Sequence, residues 1–257
     1  MFSDKIGIQF ASDLHLEFYD KDYPKLKYSA PYLVLAGDIG YPFHPSYKEY
    51  LQSLSNYKKI YIISGNHEYY QTKGEYKTME EIDLKIQEIC SSLPNVVFLN
   101  NSSEIIEGNI RIIGSTLWSE VPITSQSYME ECMNDYYKIY TKPTQLITSQ
   151  ETTIIHHKNV DWLTNEIEKY KDNNIIVVTH HLPSNEFIDT KYQNHPLNYG
   201  FVTSLDKLIK KPISIWIAGH THHCKSLVIN DVQCEVNSKG YPGEGVVGFR
   251  DDAVVYI

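Results

Sequence analysis

Residues 213–224 read ISIWIAGHTHHC: an apolar run that stops at Gly219 and opens onto His220, Thr221, His222 and His223. A run this short, nearly continuous in hydrophobicity and rich in β-branched residues, is expected of a strand covered on both faces. Four other segments share the layout: IGIQFASDLH (6–15), YLVLAGD (32–38), KIYIISGNHE (59–68) and NIIVVTHH (174–181). Each stops at a side chain able to bind a metal. In open parallel sheets ligands gather outside the carboxyl ends of the strands. The five ends would therefore bring Asp13, His15, Asp38, Asn66, His67, His180, His181, His220, His222 and His223 to one rim. Carboxylates, a carboxamide and imidazoles in this number exceed what one four-coordinate ion takes. Two divalent ions sharing a bridging carboxylate account for the set.

Stretches with helical period separate the runs: 46–57, 78–92 and, most clearly, 149–170. In the last, Thr148 and Glu151 have capping-box spacing, and Thr153, His156, Val160, Leu163, Ile167 and Tyr170 form one stripe. Strand and helix in alternation imply parallel strands joined by crossovers. Turn signals at Gly108-Asn109, Asn230-Asp231 and Asp251-Asp252, each flanked by β-formers, predict three hairpins and a second, partly antiparallel stretch of sheet. Residues 116–147 mix aromatic, acidic and proline residues without a clear period. Long irregular segments inside compact domains are often functional, so this one is expected to cap the active site within a single domain spanning 1–257.

Net charge is −9, and of 23 basic residues only Arg111 and Arg250 are arginine. That balance argues against an extended nucleic-acid surface but leaves room for a small phosphorylated substrate held by metal. No apolar stretch is long enough to span a membrane, and the first residues lack a basic region followed by an apolar run. Cys90, Cys132, Cys224 and Cys234 form no C-x-x-C pair. A reducing, cytoplasmic location is expected.

Taken in order, DLH, GD, GNHE, THH and GHTH resemble the five motifs of the calcineurin-like metallophosphoesterase superfamily. The resemblance extends from Asp13 to His222. It implies an α/β fold, a sandwich of two mixed β-sheets flanked by helices, in agreement with the strands and hairpins read above. By the same resemblance Asp13, His15 and His222 bind a first metal, Asn66, His180 and His220 a second, and Asp38 bridges them. His67 would be the catalytic histidine, assisting the leaving group. Oxygen and imidazole donors without thiolate suit manganese, iron or zinc. Two such ions can lower the pKa of a shared water, supply a bridging hydroxide and stabilise entering and leaving oxygens.

The implied function is a dinuclear metal-dependent phosphohydrolase acting on a phosphodiester or small phosphorylated metabolite. Alternatives are a phosphomonoesterase or protein phosphatase of the same superfamily, or a non-catalytic scaffold. Departures from the pattern narrow the field: Asp38 is followed by IGYPFHP, not by the x-x-DRG of the protein phosphatases, and Leu14 stands where lariat-debranching enzymes carry cysteine. Residues 237–244, NSKGYPGE, resemble the end of small stand-alone phosphohydrolases.

Other residues receive plainer readings. His156, on the apolar stripe, is expected to be a hydrogen-bonded core histidine, and His157 to face solvent. His181 is a candidate rim residue and His223 a bystander, while His44 and His195 are surface residues. Cys224 is a small hydrophobe, and Glu68 is assigned no role. Tyr69, Tyr70, Tyr136, Tyr137, Tyr192 and Tyr199 are mostly packing residues.

Overall fold

Alternate residues of each central strand face opposite cores, which is why the five runs are hydrophobic without interruption. In the computed structural model, which describes residues 5–71, 74 and 76–257, these runs form β1 (Gly7–Ala11), β2 (Tyr32–Ala36), β3 (Lys59–Ile63), β9 (Asn174–Thr179) and β10 (Ile213–Ala218). The remaining strands are β4 (Val96–Phe98), β5 (Ser102–Glu107), β6 (Ile110–Ser115), β7 (Tyr140–Lys142), β8 (Gln145–Leu146), β11 (Lys225–Ile229), β12 (Val232–Val236) and β13 (Val254–Tyr256). The helices are α1 (Pro45–Ser53), α2 (Met79–Ser91), α3 (Gln126–Cys132), α4 (Asp135–Lys138) and α5 (Ser149–Lys169).

One sheet has the order β13-β1-β2-β3-β4, parallel from β1 to β4 with β13 antiparallel at its edge. The other runs β11-β12-β10-β9-β6-β5, parallel from β12 to β6 with an antiparallel strand at each edge. Both sheets are therefore mixed, as expected. Between them lies one core that takes Ile8, Phe10 and Val34 from the first sheet and Ile112, Ile176, Ile215 and Ile217 from the second. Leu33, Leu35, Ile60 and Ile62 point the other way, against Leu51 of α1 and Ile82 and Ile86 of α2. Likewise Ile175, Val177 and Trp216 face Leu163 and Ile167 of α5.

The helices begin where their caps dictate. In α5 the expected cap Thr148, and in α2 Thr78, expected to lie inside the helix, accepts from the backbone of the glutamate three residues on, and that glutamate returns the bond. The buried face of α5 carries Thr152, His156, Asn159, Leu163 and Ile167, slightly rotated from the expected stripe, so that Thr153 and Val160 are only half-buried. α1 ends at Ser53 and not at Tyr57, whose amide turns back to Leu54 and whose phenol donates to Gln9.

Two of the three expected hairpins form, β5–β6 and β11–β12. The third does not. The chain does turn at Asp251-Asp252, but β13 pairs with β1 and not with residues 246–250. Side chains from elsewhere take the backbone that such a hairpin needs. Asn237 donates to the Arg250 carbonyl and accepts from its amide, and Gln9 donates to the Asp251 carbonyl. Residues 116–147, aperiodic in sequence, contain a 3-10 turn (Ile123–Ser125), α3, α4 and the small β7–β8 sheet. Met129, Tyr136, Ile139 and Ile147 tie this segment into the core beneath α1 and α2. No helix among the described residues is long and apolar enough to cross a membrane.

Thr148→Ala removes the α5 cap and is expected to lower stability by about 1 kcal/mol, read as a lower urea midpoint at unchanged slope, with activity retained.

Candidate metal centre

The strand ends turn sharply into the site. Asp13 (φ 56°), His15 (φ 51°), Asp38 (φ 53°), His220 (φ 75°) and His222 (φ 46°) all adopt the left-handed backbone region. For residues with a Cβ this costs roughly 1–2 kcal/mol each, and such strain persists only where the surroundings enforce it. Here the loops enforce it on one another. Asp13 N donates to Gly37 O, His15 N to Asp38 O and Gly219 N to His180 O, all at 3.0–3.1 Å. The Asp13 carboxylate accepts His220 N at 3.1 Å through both oxygens, and Asp38 Oδ1 accepts His67 N at 2.8 Å. Glu68, fully buried, accepts from Asp38 N, Ile39 N and Gly65 N at 3.0, 2.7 and 2.6 Å. Burial, reinforced by Asp38, raises its carboxyl to about 8.

The imidazoles reveal what the centre is built to hold. His180 Nδ1 must donate to the Ala36 carbonyl (2.8 Å), and His220 Nε2 to the Gly200 carbonyl (3.1 Å), because a carbonyl can only accept. His15 Nδ1 likewise meets Glu17 Oε1 (3.2 Å), and His222 Nδ1 meets Glu244 Oε2 (2.7 Å). Each outer nitrogen thus carries the proton, and in the neutral ring the inner nitrogen is a lone pair. These lone pairs face other acceptors. His15 Nε2 and His222 Nε2 stand 3.0 Å apart, with Asp13 Oδ1 3.5 Å from the latter. His180 Nε2 stands 3.1 Å from Asn66 Oδ1 and 3.4 Å from Asp38 Oδ1. The Asn66 orientation is fixed, since its Nδ2 donates to Tyr70 Oη and to Asp135 Oδ1 at 3.1 and 2.8 Å.

Buried acceptors pointed at one another repel unless a cation or proton lies between them. Among the described residues three groups have ligand atoms close enough to hold an ion: Asp13/His15/His222, Asp38/His180/His220, and His15/Asp38/His67, the last sharing a residue with each of the other two. Asp38 reaches towards both of the first two, its Oδ1 to His180 and its Oδ2 to His15 Nε2 at 3.9 Å. The donor set therefore fits divalent metal. Without metal, protons must take that place. Burial pushes His180 down, but Asp38 outweighs it and raises the ring to about 10. His222, also opposed by burial, rises to about 9 through Asp13. Burial and the His180 charge together lower His220 to about 3.

His67 lies between the first two groups and solvent. Its Nδ1 bonds Glu17 Oε1 at 2.9 Å, and its Nε2 bonds the Tyr241 hydroxyl at 3.0 Å. Burial lowers its pKa, but Asp38 and Glu17 outweigh it and the net shift is upward. Beside it opens a cavity of ≈ 420 Å³ whose wall includes Asp38, Asn66, His220 and His222 together with apolar Met133, Ile188, Leu197 and Phe201.

A profile of the calcineurin-like phosphoesterase family matches residues 8–224, nearly the whole span from β1 to the last histidines. The chain belongs to the calcineurin-like phosphoesterase family. Family and histidine–aspartate clusters together make it a metal-dependent phosphoesterase. Among curated proteins it is 32% identical over 260 residues to the uncharacterised protein L509 of Acanthamoeba polyphaga mimivirus, covering 92% of each chain. Among solved structures it resembles the phosphopantetheinyl hydrolase PptH of Mycobacterium tuberculosis (TM-score 0.74, 16% identity, 98% of this chain and 96% of that one). It also resembles TT1561 of Thermus thermophilus (TM-score 0.53, 11% identity, 91% and 89% of the two chains). At these identities the two structures are likenesses of fold.

As a member of this family the chain brings all eight residues singled out from its motifs, Asp13, His15, Asp38, Asn66, His67, His180, His220 and His222, to one rim. His156 is the expected core histidine, its Nδ1 bonding the Leu117 and Trp118 carbonyls, and His157 is exposed. Cys224 is half-buried with its thiol raised to about 11, chiefly by burial. His181 departs from expectation: it is fully buried, 4.3 Å from the His220 ring and 5.1 Å from Trp118. His195 is exposed, as expected, at the edge of the cavity, and His223, read as a bystander, also lines it. Of the supporting residues, Glu17 and Asp135 carry no signal in the sequence, Glu68 is the last letter of GNHE, and Tyr241 and Glu244 lie in the NSKGYPGE stretch, which the resemblance marks without giving either a role.

Metal uptake at pH 7 is expected to expel protons from His180 and His222, whose metal-free values of about 10 and 9 keep both charged there. Affinity should therefore rise with pH up to about 10, less steeply once His222 has titrated near 9. Both values lie above the unfolded value of ~6.5. The stability they lend the metal-free protein is full below that pH and is lost as pH climbs through 9 and 10. Calorimetric titration with Mn²⁺ in buffers of different ionisation enthalpy reads the release; none at all would contradict the tautomer argument.

Proposed function

We propose that this phosphoesterase is a dinuclear phosphodiesterase, with Asp13, His15 and His222 holding one ion, Asn66, His180 and His220 the other, and Asp38 shared. When bound, such ions, manganese, iron or zinc, supply an acidified water and neutralise charge on the entering and leaving oxygens. The observation that carries the choice of diester is the make-up of the cavity. Among the described residues lining it none is lysine or arginine, whereas Asp189 and Glu244 are present. A diester brings one negative charge to such a wall; a monoester brings nearly two.

The chain's own groups then have distinct tasks. Glu17 holds the proton of His67 on Nδ1, so that Nε2 is the atom offered to the leaving oxygen. In the metal-free protein Asp38 and Glu17 raise the ring's pKa against burial; Glu17, which holds no ion in this reading, continues to favour the protonated ring that a general acid requires. Met133 from the 116–147 segment and Ile188, Leu197 and Phe201 opposite supply an apolar surface for the organic substituent. That contribution supports reading 116–147 as a cap. The acidic net charge supports a small substrate over long nucleic acid, and four unpaired cysteines support a cytoplasmic location. The name of the mycobacterial neighbour puts phosphopantetheinyl compounds on the list to assay.

Manganese-loaded protein is expected to turn over bis(p-nitrophenyl) phosphate at least ~10-fold faster than p-nitrophenyl phosphate, with chelator abolishing both. Preference for the monoester would sink the diester reading. His67→Ala should cost ~100-fold or more with an alkyl leaving group while metal content stays unchanged. Asp38→Asn is expected to lose metal by elemental analysis; two ions retained with full activity would remove Asp38 from the bridge.

A further inference from the structure

Ester hydrolysis forms a P–O bond from water and breaks the P–O bond to the leaving group. One water proton ends on the leaving oxygen, and the product phosphate keeps the oxygen from water. Charge on the phosphoryl oxygens must be met by donors fixed in advance, and no lysine or arginine among the described residues lines this cavity. Several donors near His67 are already committed. Asn66 Nδ2 donates to Tyr70 Oη and Asp135 Oδ1, and the Tyr70 hydroxyl donates to Asp135 Oδ1 at 2.7 Å.

Tyr241 is placed differently. Its hydroxyl stands 3.0 Å from His67 Nε2, the nitrogen left for substrate once Glu17 has taken Nδ1. Its ring packs 4.4 Å from the His15 ring, edge-on to His222 at 4.7 Å and to Phe18 at 5.3 Å. The backbone is anchored as well, since Tyr241 N donates to Glu244 Oε2 at 2.8 Å and the same oxygen meets His222 Nδ1. Gly240 makes that turn possible: its φ is +75°, and a Cβ there would stand 2.6 Å from Glu244 Oε2. The KGYPGE sequence, outside the five motifs, thus sets one phenol against His67.

We propose that Tyr241 is a further catalytic residue whose hydroxyl leaves His67 Nε2 when substrate enters and donates a hydrogen bond to a phosphoryl oxygen. The inference rests on the phosphodiesterase reading with His67 at the leaving group.

Tyr241→Phe preserves the ring contacts with His15 and Phe18 and removes only the oxygen. In the manganese-loaded protein it is expected to lower kcat for bis(p-nitrophenyl) phosphate ~10- to 100-fold with KM within about twofold, since the bond strengthens in the transition state. The p-nitrophenolate leaving group needs little protonation, so a loss with this substrate reports on the phosphoryl oxygens and not on His67. Orthovanadate binding, measured by calorimetry, should weaken by a similar factor. Unchanged kcat and vanadate affinity, or a raised kcat, would overturn the proposal and, with wild-type turnover intact, leave the phosphodiesterase reading standing. Absence of wild-type turnover on any diester would sink that reading instead. Vanadate affinity then decides Tyr241 alone, a ~10-fold loss supporting it and an unchanged value overturning it.

Discussion

Four imidazoles in this protein have one nitrogen tied to a carbonyl or carboxylate, and that tie sets the His15 and His222 lone pairs against each other and the His180 lone pair against Asn66 and Asp38. Everything at the rim follows from it. Buried acceptors in opposition are unstable alone, so the folded state must hold either cations or extra protons there, and His180 and His222 show the proton solution. The same ties explain why the strand ends accept left-handed backbone at Asp13, His15, Asp38, His220 and His222. Each turn aims a donor; the amides of Asp13 and His15 are held by the carbonyls of Gly37 and Asp38, those of Asp38 and His220 by the carboxylates of Glu68 and Asp13, and His222 is held through its ring by Glu244.

The sandwich matters because the centre lies on the seam between its sheets. His180, after β9 of one sheet, donates to the carbonyl of Ala36 at the end of β2 in the other. Asp13, after β1, accepts the amide of His220, which follows β10. Ser12 and Ser238 bridge the two sheets again. Glycines permit the approach. A Cβ at Gly37 would stand 2.5 Å from His180 Nδ1, and one at Gly65 would collide with Asp38 Oδ1 and stand 2.7 Å from His180 Nε2. The glycines of GD and GNHE are thus there to let two sheets close on one imidazole.

Strands and the residues gathered at the rim were legible in the sequence because both depend on local pattern: a continuous apolar run for a strand buried on two faces, and a polar side chain within a few residues of its end. The supporting groups were not. Glu17 looks like an ordinary surface acid until folding places it on His15 and His67, and Glu244, although it ends NSKGYPGE, shows only in the fold that it meets His222. Asp135 orients Asn66 from a segment 69 residues away. The third hairpin failed for the same reason. Its turn and β-formers are present, but Asn237 and Gln9 capture the backbone and tertiary bonds override local propensity. His180 and His181 are adjacent in sequence, and the carbonyl each reaches, Ala36 or Thr116, separates the ring that faces Asn66 and Asp38 from the one buried beside His220.

The central claim is that the inward lone pairs define two cation positions sharing Asp38. Anomalous diffraction from crystals grown with manganese tests it directly. The account predicts two peaks about 3.5–4 Å apart, one among Asp13, His15 and His222, the other among Asn66, His180 and His220, with Asp38 touching both. A single peak, or peaks away from these nitrogens, would contradict it.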